Sequence, residues 1–326
     1  MNFLSVGIGA GLVSALLIAV LAKGTPLALL LFLLAPVPVL IAALGWNHRA
    51  GLVATAVGGT AIALVSGPAE GFGYVLGTAL PAWWLAYLAL LGRGDAAGVV
   101  EWYPTGRLLA WIAGTAALTL LAAALVSTGS YDAFQENSRQ IAELFVRAQT
   151  NTPRGTPIPN VGDIPASVII DRFANAAPIF AAQGFTLILA FYVWLGAKVV
   201  AMSGRLPRPW PPLPETLMPR MVLAILAGAV LLANLGGFVA VFGLALAGAI
   251  TMAFALQGLA GLHDVTRGRS GRVAILSIAY LLLFMSQGLV LGPLFLFGIA
   301  DTALGLRRRL RARPASGPPA GPTPLA

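Results

Sequence analysis

Few residues in this sequence have side chains capable of covalent or metal chemistry. The 326-residue chain contains no cysteine and only two histidines, His48 and His263. The lack of cysteine excludes a thiolate nucleophile, a disulfide framework and a Cys-ligated zinc or iron–sulfur site, and two histidines are too few for a His-only metal cage. No carboxylate pair, Ser/Lys pair or Asp/Asp dyad has the spacing that catalysis requires. The sequence therefore predicts no enzyme, no metal and no other cofactor.

The composition indicates which kind of protein these few groups belong to. Hydrophobic residues make up 58% of the chain and charged residues 10%, and the mean hydropathy is +0.88. A soluble protein carries about 25% charged residues because its surface is in water. Each bilayer crossing takes about 20 apolar residues, so the apolar content is enough for about nine or ten crossings. We expect an all-α, polytopic transmembrane helix bundle.

Polar side chains within apolar segments are the first candidates for a ligand site, because they are costly in a bilayer and face a cavity or another helix. The candidates of this kind are Asn234, Gln257, Gln287 and Asp301. Asp301 lies six residues before an arginine cluster and is expected to pair with Arg272 or Arg307. Trp83 and Trp84, beside Tyr87, are candidates for an aromatic cavity that takes an apolar or cationic ligand. Ordinary packing or lipid contact is the alternative for the tryptophans.

Ten apolar segments are candidates for the crossings that would position these residues. They are 4–22, 25–44, 51–66, 72–91, 108–126, 178–202, 219–236, 238–262, 273–287 and 289–306. Residues 221–262 carry no charge, and this run is too long for one crossing of a core about 30 Å thick. Residues 234–237 (NLGG) are therefore predicted to form a turn. Residues 273–300 are predicted to break at Gln287-Gly288 or near Gly292-Pro293.

The distribution of basic residues predicts the orientation. Arg267, Arg269 and Arg272 precede the last two segments and the arginine-rich tail follows them, so the positive-inside rule places both clusters in the cytoplasm. Ten crossings with both termini inside leave five of the 20 Lys and Arg residues outside, namely Lys23, Arg139, Arg147, Arg154 and Arg172. The expected location is the bacterial inner membrane. The integral domain would span residues 1–306.

Small residues recur along the first apolar segment. Gly7 and Gly11, and likewise Ala10 and Ser14, are four positions apart. This spacing lets two helices approach closely, although high glycine and alanine content also produces it by chance.

Residues 127–177 are the one stretch with soluble-protein composition. From Asp132 to Gln149 a narrow apolar stripe lies opposite a charged face at helical spacing. The stripe consists of Phe134, Ile141, Phe145 and Ala148, with Leu144 at its edge. It predicts an amphipathic helix on the extracytoplasmic interface or capping the bundle. The segment either gates a cavity or is a passive strap.

Two further segments are expected to contact partners. The proline-rich connector 206–214 (LPRPWPPLP) is either a docking peptide for a membrane-protein partner or a stiff spacer with Trp210 at the headgroups. The basic residues of the tail are expected to contact anionic lipid headgroups, and they are Arg307, Arg308, Arg309, Arg311 and Arg313. Residues 314–326 are expected to be disordered. The net charge of +9 is explained by orientation in the membrane, so no nucleic acid partner is expected.

Two short stretches of the C-terminal third carry a family resemblance. Residues 254–260 (FALQGLA) are followed by paired apolar segments, and residues 298–301 (GIAD) lead to 306–308 (LRR). This order resembles the closing segment of the YybS-like family of bacterial membrane proteins. The resemblance implies that Gln257, Gly258, Gly298 and Asp301 are recurring family positions. It also implies a fold-level likeness to the substrate-binding membrane subunits of vitamin-uptake transporters.

These observations favour a small-molecule or lipid binding or transport component. No GxxxxGK[ST] loop occurs, so such a component has no ATPase of its own. The alternative is a structural or assembly protein that acts through helix packing and the proline-rich connector.

Overall fold

The computed structural model describes residues 2–94, 96, 98–160, 162–285 and 291–312. The chain is 79% helical, which agrees with an all-α membrane bundle. Two short strands, β1 (Gly92–Gly94) and β2 (Val100–Trp102), form an antiparallel hairpin. In chain order the α-helices of the described residues are α1 (Phe3–Ala19), α2 (Pro26–Leu33), α3 (Pro36–Trp46), α4 (His48–Ser66), α5 (Pro68–Tyr74), α6 (Leu80–Ala89), α7 (Thr105–Thr128), α8 (Tyr131–Gln149), α9 (Ala166–Met202), α10 (Met221–Leu232), α11 (Gly237–Val265), α12 (Arg272–Met285), α13 (Leu291–Leu304) and α14 (Leu306–Ala312).

Seven helical stretches of the described residues are long and apolar enough to cross a membrane. They are Phe3–Lys23, Pro26–Trp46, His48–Ser66, Pro68–Ala89, Thr105–Thr128, Ala166–Met202 and Gly237–Val265. The three other apolar helices, α10, α12 and α13, have 12, 14 and 14 residues. A helix of 14 residues rises about 21 Å, which is less than the hydrocarbon thickness of about 30 Å. By length, seven of the ten expected crossings are therefore found.

Two prolines lie close to expected segment boundaries. The segment expected over 178–202 is the C-terminal part of α9, a 37-residue helix that contains Pro178 in its interior. At about 55 Å, α9 is much longer than a bilayer crossing. Helix α12 ends at Met285 and α13 begins at Leu291, so Gly292 and Pro293 lie in the first turn of α13, where a proline fits. The alternative break at Gln287-Gly288 lies outside the described residues.

The turn expected at residues 234–237 separates α10 from α11. Gly236 and Gly237 both have positive φ, at 85° and 61°, a conformation that glycine adopts without the strain of a Cβ. The chain reverses here between two apolar helices, as the uncharged run of residues requires.

The contacts divide the chain into two compact units, whereas the sequence suggests one integral domain over 1–306. One unit consists of Met1–Pro212 and Leu217–Ala253, and the other of Leu213–Thr216 and Phe254–Ala326. The first unit contains six of the seven long helical stretches and most of α11. The second contains the end of α11, α12 to α14 and the residues Leu213–Thr216, the first two of which end the proline-rich connector.

Small residues bring α1 and α4 into close contact in the first unit. A Cβ on Gly7 would lie 2.6 Å from the Ala50 carbonyl oxygen, and one on Gly11 would lie 2.6 Å from that of Ala54. One turn on, the Ser14 hydroxyl donates to the Ala35 carbonyl at 2.5 Å and accepts from the Tyr74 hydroxyl at 2.7 Å. The four-residue repeat of small residues in α1 therefore forms a packing face.

We expect Gly11→Ala to destabilise this packing face. The added methyl would overlap the backbone of α4, and overpacking of this kind costs about 1–3 kcal/mol. Gly9→Ala is the matched control, because a Cβ there meets nothing within 4 Å and alanine is about 1 kcal/mol better than glycine in a helix. Thermal unfolding of both variants in detergent measures the difference. Equal melting temperatures for the two variants would contradict the close contact of α1 with α4.

Candidate functional site

A buried ion pair lies at the end of α13 in the second unit. Arg307 Nε donates to Asp301 Oδ2 at 2.6 Å, and the backbone N–H of Arg307 donates to Asp301 Oδ1 at 3.0 Å. The other two guanidinium nitrogens of Arg307 donate to the carbonyl oxygens of Pro214 and Thr216, each at 2.6 Å. The two side chains are 4% and 9% exposed. One arginine thus binds a carboxylate and holds a piece of the proline-rich connector.

Gln257 belongs to the contact between α11 and α13. Its Nε2 donates to the Gly298 carbonyl oxygen at 3.0 Å and to Thr302 Oγ1 at 2.8 Å. A Cβ on Gly258 would overlap the Leu294 carbonyl oxygen, and one on Gly298 would overlap that of Phe254. The absence of side chains at these glycines is what lets the two helix backbones touch.

The four positions of the family resemblance therefore lie together, in a packed helix pair. Asp301 and Gln257 are expected ligand residues, but their polar atoms are bound to protein groups and both side chains are buried. Arg307 is expected at lipid headgroups, whereas its guanidinium is enclosed by the acceptors described above. Arg308 and Arg309 are exposed. The structure does not describe the side chain of Arg311, and Gln287, Arg313 and residues 314–326 lie outside the described residues.

A cavity lined by amide and hydroxyl side chains lies in the first unit, at the turn between α10 and α11. Its volume is about 360 Å³. Asn234, one of the expected ligand residues, lines it. The other lining residues are Tyr131, Phe134, Gln135, Ser138, Ala174, Asn175, Pro178, Ala233, Gly236, Ala240, Val241 and Leu244. We call this space the amide cavity.

The polar groups of the amide cavity are largely unpaired. Over the described residues, the side chains of Gln135, Ser138 and Asn175 make no hydrogen bond to another protein group. Asn234 donates from Nδ2 to the Val230 carbonyl at 2.7 Å. Pro178 has no N–H, so the carbonyl of the lining residue four positions earlier loses its usual helical donor. Ser138 is buried, whereas Gln135, Asn175 and Asn234 are exposed, so their amide groups are open to water and to a hydrogen-bonding ligand.

Helix α8 covers this region, and it packs with a different face from the expected one. Its buried residues are Ser138, Ala142 and Val146, and the last two pack against Ile170 of α9. Arg139 Nε lies 3.2 Å from Asp171 Oδ1 and adds an ion pair between the same helices. The expected apolar stripe stays largely outside, with Ile141, Leu144 and Phe145 57%, 49% and 47% exposed.

The expected tryptophans line a second cavity, of about 340 Å³, in the first unit. Trp83 and Trp84 form part of its wall together with Trp111, whose ring meets that of Trp84 edge-on at 5.6 Å. Trp83 Nε1 donates to the His48 carbonyl at 3.0 Å. Tyr87 stacks on both tryptophans but does not line the cavity. The wall of this second cavity is largely apolar, so it offers few hydrogen-bonding groups that could orient a ligand.

The first part of the proline-rich connector is fixed to helix ends. Arg208 Nη1 donates to the Ala89 carbonyl at the end of α6 at 2.9 Å, and burial lowers the pKa of the Arg208 guanidinium. Lys198 lies 5.2 Å from the Trp210 ring centroid, in a cation–π contact. The connector is thus held at several points, as a stiff spacer would be.

Comparison with known proteins places the chain in a family. The family model described as "Predicted membrane protein (DUF2232)" matches residues 12–302. The chain belongs to this family. It is a multi-pass membrane protein, as its apolar helices indicate. No curated protein and no solved structure matches it.

The amide cavity includes residues that the sequence did not single out. Gln135 and Ser138 lie in a helix for which the sequence indicates only an apolar stripe and a charged face. Asn175 lies before the segment expected to begin at residue 178. Pro178 inside an apolar run was the available signal, because a proline in a membrane helix frees a carbonyl group.

We expect Asp301→Asn to destabilise the second unit strongly. Loss of the carboxylate charge leaves a buried guanidinium without its counter-charge, which costs about 3–5 kcal/mol. Cleavage after Glu215 by a glutamyl endopeptidase should become faster, because Arg307 no longer holds the carbonyls on either side. Arg308→Gln, at an exposed arginine one residue on, is the control. Unchanged melting and unchanged cleavage in Asp301→Asn would mean that the ion pair does not hold the connector.

Proposed function

We propose that this protein is a binding or transport component for a small, uncharged, hydrogen-bonding molecule, which occupies the amide cavity. The proposal depends on one observation: Gln135, Ser138 and Asn175 line one cavity, and their side chains make no hydrogen bond to protein among the described residues. Because Gln135 and Asn175 are exposed and unpaired, a ligand can bind their amide groups without breaking hydrogen bonds within the protein. The activity is binding rather than catalysis.

The lining of the amide cavity supports the chemical class of the ligand. None of its lining residues is charged, so a charged ligand would find no counter-charge there. Tyr131 and Phe134 supply aromatic surface beside the amides. The volume of about 360 Å³ lies at the lower end of the range of about 300–1,000 Å³ for ligand pockets, which favours a small molecule.

The backbone around the cavity supports a role in transport. The cavity lies at a helix break, between α10 and α11, and beside the proline in α9. Interrupted helices with unpaired backbone groups are typical of substrate sites in secondary transporters. Helix α8 would act as the flap over this site.

We further propose the finer membrane arrangement. All ten apolar helices cross the bacterial inner membrane, with the short helices α10, α12 and α13 matched by locally thinner bilayer or flanking residues. Both termini are cytoplasmic, because this places the clusters at Arg267–Arg272 and Arg307–Arg313 inside. The exposed Ile141, Leu144 and Phe145 of α8 rest on the extracytoplasmic interface. Arg308 and Arg309, and the tail arginines Arg311 and Arg313, contact anionic headgroups.

We propose that the chain is a YybS-like member of its family. Supporting this is the arrangement of Gln257, Gly258, Gly298 and Asp301 in one helix pair, which explains why residues of these types would recur together. The likeness to vitamin-transporter subunits is a likeness of fold and does not name the ligand.

Purification in mild detergent, followed by mass spectrometry of what stays bound, tests the proposed binding. We expect an uncharged polar molecule to co-purify with the wild-type protein and to be reduced about tenfold or more in Asn175→Leu and Gln135→Leu, since each removes a hydrogen-bonding group and leaves a ligand group unpaired. Gln140→Leu is the control, because Gln140 is on the same helix and bonds Glu136 at the surface. Equal ligand retention in all variants would refute binding in the amide cavity.

The ten-crossing arrangement predicts the sidedness of two loops. Reporters fused after Ala326 and inserted at Gly268 should report the same, cytoplasmic face, because α12 and α13 together return the chain to the side it left. A reporter inserted at Gly155 should report the opposite face. Signals from Ala326 and Gly268 on opposite faces would rule out two crossings in this region.

A role in assembly is the second candidate, favoured by the fixed connector. Trp210 is 39% exposed although the segment around it is anchored, so it is a rigid aromatic contact for a membrane-protein partner. Trp210→Ala should then remove a co-purified protein, while the variants of the amide cavity leave that protein bound.

A further inference from the structure

A third cavity, of about 430 Å³, lies in the first unit between α7, α10 and α11. Its wall is apolar apart from two residues at one end. The apolar lining comes mainly from Trp111 and Gly114 of α7, Met221 and Ile225 of α10, and Leu246 and Ile250 of α11. The polar end consists of Tyr103 and Arg107. We call this space the α7–α10 slot.

The backbone around Arg107 explains how a charge comes to lie at the end of an apolar slot. Gly106 lets the segment before α10 touch the first turn of α7, since a Cβ there would overlap the Leu217 carbonyl. This close approach brings Pro219 and Arg107 into the same wall. On the other side, the Tyr103 N–H donates to the Leu91 carbonyl at 2.8 Å, which ties Tyr103 to the end of the hairpin.

The positive charge of Arg107 is not balanced by the protein. In the part of the chain that the structure describes, its guanidinium has neither a carboxylate within ion-pair distance nor a hydrogen-bond acceptor. Arg107 also lies in the first turn of α7, where the helix dipole adds positive potential. Arg107 is exposed, so the polar end of the slot is a positive site that an anion can reach from outside the protein.

The shape of the slot indicates what is attached to that anion. Met221, Trp111 and Ile225 are 66%, 42% and 41% exposed, so the slot opens sideways from the helix bundle. In a membrane, that side faces acyl chains. A Cβ on Gly114 meets nothing within 4 Å, so there is open space beside α7 at mid-slot. An elongated apolar ligand with one anionic end fits both the charge and the shape.

We propose that the α7–α10 slot binds an anionic phospholipid, with its acyl chain between α7 and α10 and its phosphate on Arg107 and Tyr103. Arg107 supplies a charge-assisted hydrogen bond to a phosphate oxygen, and the Tyr103 hydroxyl supplies a neutral one. The site shares no lining residue with the amide cavity, and it does not depend on the function proposed for that cavity.

Native mass spectrometry of the full-length protein in detergent, titrated with phosphatidylglycerol or with phosphatidylcholine of the same acyl chains, tests this site. We expect the wild-type protein to bind phosphatidylglycerol about tenfold or more tightly than phosphatidylcholine, as one charge-assisted contact implies. Glycerol 3-phosphate, the headgroup portion without chains, should not displace the lipid, because it leaves the apolar slot empty.

Two variants separate the two halves of the site. Arg107→Gln should reduce binding of phosphatidylglycerol to the level of phosphatidylcholine, whereas Arg93→Gln, at an exposed arginine outside the slot, should not. Gly114→Leu should fill the slot and weaken both lipids, whereas Gly9→Leu, at an equally open glycine of α1, should not. Size-exclusion profiles verify that all four variants are folded.

Three results would overturn the proposal. The first is equal binding of the two lipids by the wild-type protein, which would mean that the slot does not select an anionic headgroup. The second is unchanged binding of phosphatidylglycerol in both Arg107→Gln and Gly114→Leu, which would mean that the lipid binds elsewhere on the surface. The third is displacement by glycerol 3-phosphate, which would indicate an anion site without a chain.

Discussion

Polar groups in a membrane protein must find their partners inside the protein, because hydrocarbon offers none. Under this constraint, the polar residues of the chain fall into two groups: those whose polar atoms bind another protein group, and those whose polar atoms do not. Ser14, Gln257, Asp301 and Arg307 use their polar atoms on other protein groups. Gln135 and Asn175 do not, over the described residues. The satisfied residues hold helices together, and the unsatisfied ones, which are exposed, are open to water or to a ligand.

The helix pair formed by α11 and α13 shows what the satisfied groups achieve. Close backbone contact at Gly258 and Gly298 would leave few side chains to specify the alignment of the two helices. The hydrogen bonds of Gln257 to Gly298 and Thr302 add that specificity, since they form in one register. Polar groups that fix register are a known use of buried polar residues. The residues that resemble a family pattern thus have a structural explanation that needs no ligand.

Local features of the sequence predicted local structure well. The turn at Gly236-Gly237 follows from the length of an uncharged run, and the apolar helices follow from composition. The pairing of Asp301 with Arg307, six positions on, is one of the two that the sequence predicts for Asp301. The bonds of Gln257, and those of Arg307 to backbone carbonyls, could not be predicted in the same way, because these partners lie 41 to 93 positions away along the chain. The sequence shows which polar side chains lie in apolar segments, where burial without a partner costs free energy. Only the fold shows whether a protein group pairs with them. For this reason Asp301 looked like a ligand residue and Asn175 did not.

Polar groups with protein partners and polar groups without them also lie on different kinds of backbone. The satisfied polar groups of the second unit join α11 to α13, and α13 to α14 and the connector, so a change of shape there would break several hydrogen bonds at once. The amide cavity instead adjoins Pro178 and the two-glycine turn, where helical hydrogen bonding is already interrupted. A ligand shifts a protein between two states only by binding one of them better. In the proposed function, unpaired amides beside a helix break would provide that difference in affinity, because small movements of α9 and α10 would change how many of them a ligand can reach.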